Sequence, residues 1–369
     1  PHTYDIENFT FNYSYNKTYH RDFEIASLLD QKVVAGVVYN YAFKPSTVEP
    51  FVKKDSLFTS SYLKWLKDFN FNWLPTSLSV NSNYNRAFNQ QRFRDVLEPG
   101  VEALSLPLLQ QRNYLFNWQY SLNYSITKSL RVVLTGANNR IIRNYYSDPG
   151  NPDSDIDDSL NLWNGFWDIG IPNRQTQQFQ LNYDIPLNKI PVLEFINAQY
   201  SYTSNFEWQR EGDAIQEVAG EDINTVQNAN THNITAELSM QRFYDYIGLT
   251  KRSGKTAASK TPSKNSSTGK EPAKKGNETS ALFNVAVDVL TMLKRFNVNY
   301  SESNGTVLPG YLRSVGFIGT TKPTLGFVFG SQADVRFDAA RKGWLTTFTD
   351  FNQQYIEVTN KQLNISATA

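Results

Sequence analysis

The stretch YLFNWQYSLNYSI, Tyr114 to Ile126, separates into two sets when every second residue is taken. Tyr114, Phe116, Trp118, Tyr120, Leu122, Tyr124 and Ile126 form one; Leu115, Asn117, Gln119, Ser121, Asn123 and Ser125 form the other. Successive side chains of a strand point to opposite faces, so this is a two-faced β-strand. Thirteen residues at about 3.3 Å each reach roughly 43 Å, against the five or six residues usual in globular strands. The reading of the whole chain turns on what each face of such a ribbon touches.

The same alternation recurs at Phe9–Asn16, Val37–Phe43, Leu78–Tyr84, Gln178–Ile185, Ile196–Gln209 and Phe296–Tyr300, and in the set Ile234, Ala236, Leu238 and Met240. A soluble β-sandwich also alternates, but its outer face normally carries Lys and Glu. Here the polar face is Asn, Gln, Ser and Thr, which suits an enclosed, hydrated surface. Strand length and aromatic strand ends suit a transmembrane barrel with interfacial girdles. The predicted fold is therefore all-β, a section of a very large antiparallel transmembrane barrel with about ten strands. ITKSL (Ile126–Leu130) and DIPLNKIP (Asp184–Pro191) read as short turns and mark the periplasmic side.

The chain has 21 Tyr, 24 Phe and 7 Trp but no Cys and a formal net charge of +1. Disulfides and thiolate metal sites are thereby excluded, and the overall charge gives no polyelectrolyte-binding character. No apolar run is long enough for a transmembrane helix. The chain opens at PHTYDIENF and stops inside the alternating run QLNISATA, so it is read as one section, 1–369, of a longer protein. Within SSYLKWLKDF, residues 60–69 are expected to form a short interfacial helix through Tyr62, Leu63, Trp65, Leu66 and Phe69. The Lys/Ser/Thr-rich stretch 250–280 is expected to be a disordered basic periplasmic linker, and 304–350 a long extracellular loop region.

Candidates for chemistry fail on spacing. Asp153, Asp155 and Asp157 match the start of a calcium loop, but Asp158 stands where Gly is needed and Asn164 where Glu is needed. His2, His20 and His232 are not at ligand spacing. GFVFGSQ (Gly326–Gln332) lacks the Lys and the helix of a phosphate loop. Glu194 and Glu207 read as polar-face groups rather than an acid/base pair. Basic residues are not interleaved with the aromatics on one face, which argues against nucleic acid. No catalytic residue, metal or cofactor is expected.

Several segments, in order, resemble the SprA/Sov family of outer-membrane translocons of the type IX secretion system in Bacteroidota. They are ENFTFNYSYN (Glu7–Asn16), LKDFNFNWLPTSLSV (Leu66–Val80), YSLNYSITKSL (Tyr120–Leu130), NYDIPLNKIPVLEFINAQYSY (Asn182–Tyr202), NGTVLPGYL (Asn304–Leu312), GFVFGSQ and GWLTTF (Gly343–Phe348). The resemblance implies one giant single-chain barrel in the outer membrane, through which folded cargo with a C-terminal signal domain reaches the surface. It also implies a PorV-type barrel shuttle at a lateral opening and a plug protein at the inner mouth. On this reading Asn117, Gln119, Ser121, Asn123, Asn197, Gln199, Ser201 and Asn205 face the lumen. Phe116, Trp118, Tyr120, Leu122, Tyr124, Ala198, Tyr200, Tyr202, Phe206 and Trp208 face lipid. The alternatives are another outer-membrane barrel, such as a TonB-dependent transporter, and a secreted Tyr/Asn-rich adhesion or glycan-binding β-domain.

Overall fold

A computed structural model describes residues 2–51, 60, 64–94, 106–148, 154–248, 291–352 and 354–368. The fold is all-β. Ten strands make one antiparallel sheet in which every strand pairs with its neighbours in sequence: β1 (Phe9–His20), β2 (Ile25–Ala42), β5 (Ser77–Phe93), β6 (Leu109–Ser125), β7 (Leu130–Ile141), β8 (Ile171–Ile185), β9 (Ile196–Arg210), β10 (Asn224–Ser239), β11 (Arg295–Tyr311) and β12 (Ile356–Thr368). Two-residue strands β3 (Thr47–Val48) and β4 (Phe71–Asn72) form a separate pair below it. The sheet is open. β1 and β12 are its edges, exposed throughout. Among the described residues no helix is long and apolar enough to cross a membrane, a fact that says nothing about strands.

Both predicted short turns are present. Thr127 Oγ1 accepts from the backbone N–H of Ser129 and Leu130, closing the β6–β7 turn. The β8–β9 connection is two successive 3-10 turns, Pro186–Lys189 and Pro191–Leu193. Proline lacks the N–H that a ladder needs, so pairing stops there. Four sequence expectations shift. Met240 opens a helix, Met240–Tyr246, instead of ending a strand. Glu194 caps the second 3-10 turn and is not a strand residue. Residues 304–311 belong to β11, so the loop begins at 312. Of the helix expected near 60–69, the described residues hold one turn, Lys64–Lys67. The basic stretch 250–280 and Asp153 lie outside the described residues.

The register contains a steady stagger. One line of partners runs from Ser77 through Asn123, Val133, Gln180, Thr203 and Thr231 to Ser303. The lower strand ends fall progressively further below this line: at Ser77 itself, two residues below Asn123 at Ser125, five below Gln180 at Ile185, and eight below Thr231 at Ser239. Arg295, the lower end of β11, is likewise eight below Ser303. From β5 to β11 the drop is therefore about eight residues over six strand spacings, and at about 3.3 Å per residue and 4.8 Å per strand the line of lower ends slants by about 43° across the strands. Closing a sheet into a barrel requires such a shear, with tilts of roughly 35–45°.

Candidate functional site

The alternation places two chemically distinct surfaces on the sheet. Gln119 pairs with Ala137, which pairs with Thr176, then Glu207, then Gln227. That line puts the polar residues of β6 and β9 on one face, although 80 residues of sequence separate them. A single hollow of about 750 Å³ is lined by side chains of this face from six adjacent strands, β5 to β10, including Ser79, Gln119, Ser121, Thr176, Asn205 and Gln227. One hollow bordered by six adjacent strands and open on the side away from the sheet is what a sheet curved toward its polar face gives. Gln119, Ser121 and Asn205 border this hollow, Asn117 a second one above it, and Asn197 and Gln199 a third below. Asn123 and Ser201 share the face by register.

Amides on the concave face bond to each other across strands. Asn139 Nδ2 donates to Asn117 Oδ1 at 2.6 Å, Asn173 Nδ2 to Asn139 Oδ1 at 2.9 Å, and Gln178 Nε2 to Asn205 Oδ1 at 2.8 Å. Three ion pairs lie on this face, Arg174 with Glu207 at 2.6 Å, Arg295 with Glu237 at 3.4 Å and Arg131 with Asp184 at 3.9 Å, and the register adds Asp30 and Lys32 of β2, whose opposite charges offset each other. The result is a polar surface of many hydrogen-bonding groups with positive and negative charges interspersed.

The convex face is banded. Its lower part carries Tyr120, Leu122 and Tyr124 on β6, Ile196, Ala198 and Tyr200 on β9, Ile234, Ala236 and Leu238 on β10, and Phe296, Val298 and Tyr300 on β11. Its upper part is covered by the chain itself. Residues 154–170 lie over β5 and β6, where Val33, Phe88, Tyr114, Phe116, Trp118, Ile142 and Leu162 form one buried cluster. Residues 312–352 lie over β8 to β11, where Phe206, Trp208, Val226, Leu308 and Tyr311 pack against Val315, Phe327, Val328 and Val335. This corrects part of the lipid-facing set: Phe116, Trp118, Phe206 and Trp208 are buried beneath these two segments. Tyr202 meets the second segment too, its hydroxyl donating to Phe329 O. Leu122, Tyr124, Ala198 and Tyr200 stay outside the two clusters, Tyr120 packs against the edge of the first by stacking on Trp118, and all five are half-buried. Residues 312–352 lie on the side opposite the hollow, so they do not roof it.

Polar side chains on the convex face hold the cover down. Asn228 Nδ2 donates to the carbonyls of Phe327 and Ser331, both at 2.9 Å, and Asn230 Nδ2 to that of Gly330 at 2.6 Å. Thr306 Oγ1 donates to Gln332 Oε1 at 2.7 Å, and Trp208 Nε1 to Arg313 O at 2.9 Å. Gly330 has φ +91°, and a Cβ there would stand 2.6 Å from that of Ser204, so only glycine lets the segment lie this close. Under the other segment, Arg86 is fully buried. Its guanidinium donates to the carbonyls of Leu162, Asn164 and Gly165 and lies between the rings of Tyr114 and Phe166, 5.0 and 5.1 Å from their centroids. Apart from Trp208 and the GFVFGSQ run, these residues were not singled out in the sequence. The available signal was loss of alternation: QTQQFQ (Gln175–Gln180) and NTVQNANTHN (Asn224–Asn233) are polar at both parities over part of their length.

The acidic loop does not gather its carboxylates. Asp157 Oδ1 accepts from the N–H and hydroxyl of Ser159, which hold its carboxyl below the usual range, while Asp155 contributes its backbone carbonyl to Ser147. Among the described residues no three His, Asp or Glu side chains come together as a metal site. No protein-family model matches the chain, and no curated protein is significantly similar to it.

Proposed function

We propose that the chain is a section of the wall of a very large outer-membrane β-barrel, the protein-conducting channel of a type IX secretion translocon. The observation that carries the barrel reading is the pairing of concavity with stagger. The polar face is concave, while the apolar band on the convex face follows the lower strand ends down the register at a tilt of about 43°. A slanted band on the sheet is a level band in a membrane. The two open edges favour a section of a larger wall, because long unpaired edges are aggregation sites unless further strands cover them. The specific assignment to secretion rests on the resemblance to SprA/Sov proteins.

The wall serves conduction passively. Cargo that must leave a channel cannot be held tightly. Amide and hydroxyl groups that bond to one another and to water, with charges neutralised in pairs, offer no strong site to a passing protein. No catalytic residue is assigned. The partners are outer-membrane lipid on the convex side, folded cargo with C-terminal signal domains on the concave side, and a PorV-type shuttle and a plug protein contacting the rest of the barrel. Photo-crosslinkers placed in the full-length protein at Gln119 or Gln178 are expected to trap cargo during secretion, whereas the same group at Leu181 or Val298 traps none. Cargo adducts from both sets, or from neither, would refute the conduit assignment.

A further inference from the structure

We propose that the aromatic margin of the two covering segments, residues 163–167 and 317–318, lies in the outer leaflet of the membrane and completes the apolar belt of the barrel, with the acyl chains just below the lipid headgroups as its partner. The inference rests on the barrel reading above and goes beyond it. Between the cover and the lower turns, β6, β9, β10 and β11 each leave three outward apolar residues uncovered: Tyr120 to Tyr124, Ile196 to Tyr200, Ile234 to Leu238 and Phe296 to Tyr300. Three outward residues occupy about six residues of strand, roughly 20 Å along it. At a tilt of about 43° that is about 15 Å along the membrane normal, whereas the apolar band of an outer-membrane barrel is about 25 Å tall.

The missing height is not on the lower side. Ion pairs at both short turns, Lys128 with Glu49 at 2.8 Å and Lys189 with Asp68 at 3.1 Å, place charge within a few residues of Tyr124 and Ile185. On β11 the ion pair of Glu302 with Lys361 at 3.4 Å closes the band just above Tyr300, so the missing height lies higher on β5 and β6, where Tyr84, Phe116 and Trp118 continue the outward face.

One margin of the covering segments' outward surface has the composition such a position needs, while the exposed charges of 312–352, among them Lys322, Asp338, Arg341 and Lys342, belong above it in the headgroups and water. Trp167 is 80% exposed and Ile318 71%, and Trp163, Phe317 and Leu325 are exposed as well. These side chains join the strands in a continuous line of ring contacts. Tyr15 meets Trp163 at 5.5 Å and Trp163 meets Phe166 at 5.8 Å. Phe166 meets Tyr84 at 5.7 Å, and Trp167 meets the same ring edge-on at 6.2 Å. Tyr84 meets Phe116 at 4.6 Å, and Phe317 stacks on Trp118 at 4.8 Å. A line of Trp, Tyr and Phe running from β1 to β6 at the upper margin of an apolar band has the composition of an interfacial girdle. In most barrels strand residues alone supply that girdle; here loop residues laid against the strands extend it.

The test uses the full-length protein, with other cysteines removed, in nanodiscs. A fluorophore is placed on Trp167→Cys, Ile318→Cys or Tyr200→Cys. Both upper positions are exposed, so either alone suffices. Lipids carrying a nitroxide near the headgroup should quench positions 167 and 318 at least twofold more than aqueous iodide does, and lipids carrying a deep nitroxide should quench position 200. If iodide quenches 167 and 318 while 200 still responds to lipid, the inference fails and the barrel reading survives. Shielding of 167 and 318 from both lipid and iodide would mean a protein partner covers them and would also overturn it. Insensitivity of position 200 to lipid would remove the barrel reading itself.

Discussion

Replacing Arg86 with alanine is expected to detach residues 154–170 from the sheet while leaving the strands paired. Arg86 is buried without a salt-bridge partner among the described residues; three backbone carbonyls and two ring faces stabilise its charge. Alanine removes hydrogen bonds that are strong because the donor is charged. It also leaves three carbonyls without their donor and opens a cavity under Leu162. Together these cost about 3–5 kcal/mol. Because opening is local, the loss should appear as roughly a hundredfold or greater rise in proteolytic cleavage within 154–170, with cleavage following the open population. Arg86→Lys should behave nearly as badly, since a single ammonium cannot span the carbonyls that a planar guanidinium bridges. Unchanged cleavage in both variants would show that the hydrophobic cluster alone holds the segment.

Arginine introduced at Tyr200 is expected to destabilise the membrane-inserted protein by about 2–4 kcal/mol, the cost of a cation near the middle of the lipid-facing band. Tyr200 is four residues above the lower end of β9 at Ile196, about 10 Å along the normal at the tilt given by the stagger. The substitution also removes the bond between Tyr200 OH and His232 Nδ1 at 2.8 Å. Tyr120→Arg should cost a similar amount. Ser201→Arg and Asn123→Arg place the same charge on the concave face, and each should change stability by less than about 0.5 kcal/mol. Reversible unfolding of the full-length chain from vesicles by guanidinium measures all four. Equal losses at Tyr200 and Ser201 would contradict the assignment of the two faces.

The strands and their two faces were legible because the side-chain period of a strand is two and these strands are long. Asn117 to Asn123 and Asn197 to Asn205 separate from their neighbours by parity alone, and the register then brings both sets to one face. The cover was not legible. Phe116 and Trp118 have the same composition and parity as Leu122 and Tyr124, so nothing local distinguishes a ring under peptide from a ring toward lipid. That difference depends on contacts such as Phe317 on Trp118, across about 200 residues of sequence. Arg86 was hidden for a related reason. A cation at an outward parity reads as an interruption of the band until the carbonyls of Leu162, Asn164 and Gly165 are seen around it. The stagger was likewise invisible, because it belongs to the pairing and not to any strand.

The account depends most on which solvent each side of β9 meets, and the absence of cysteine from this chain gives a clean background for asking. Single cysteines at 198, 199, 200, 201, 202 and 203 of the full-length protein, with other cysteines removed, can be spin-labelled in nanodiscs and their collisions with oxygen and with a water-soluble nickel chelate compared. The account predicts a period of two: chelate access at 199, 201 and 203, oxygen access at 198 and 200, and restricted access to both at 202 beneath Phe329. A uniform profile along the strand, or chelate access at 198 and 200, would contradict it.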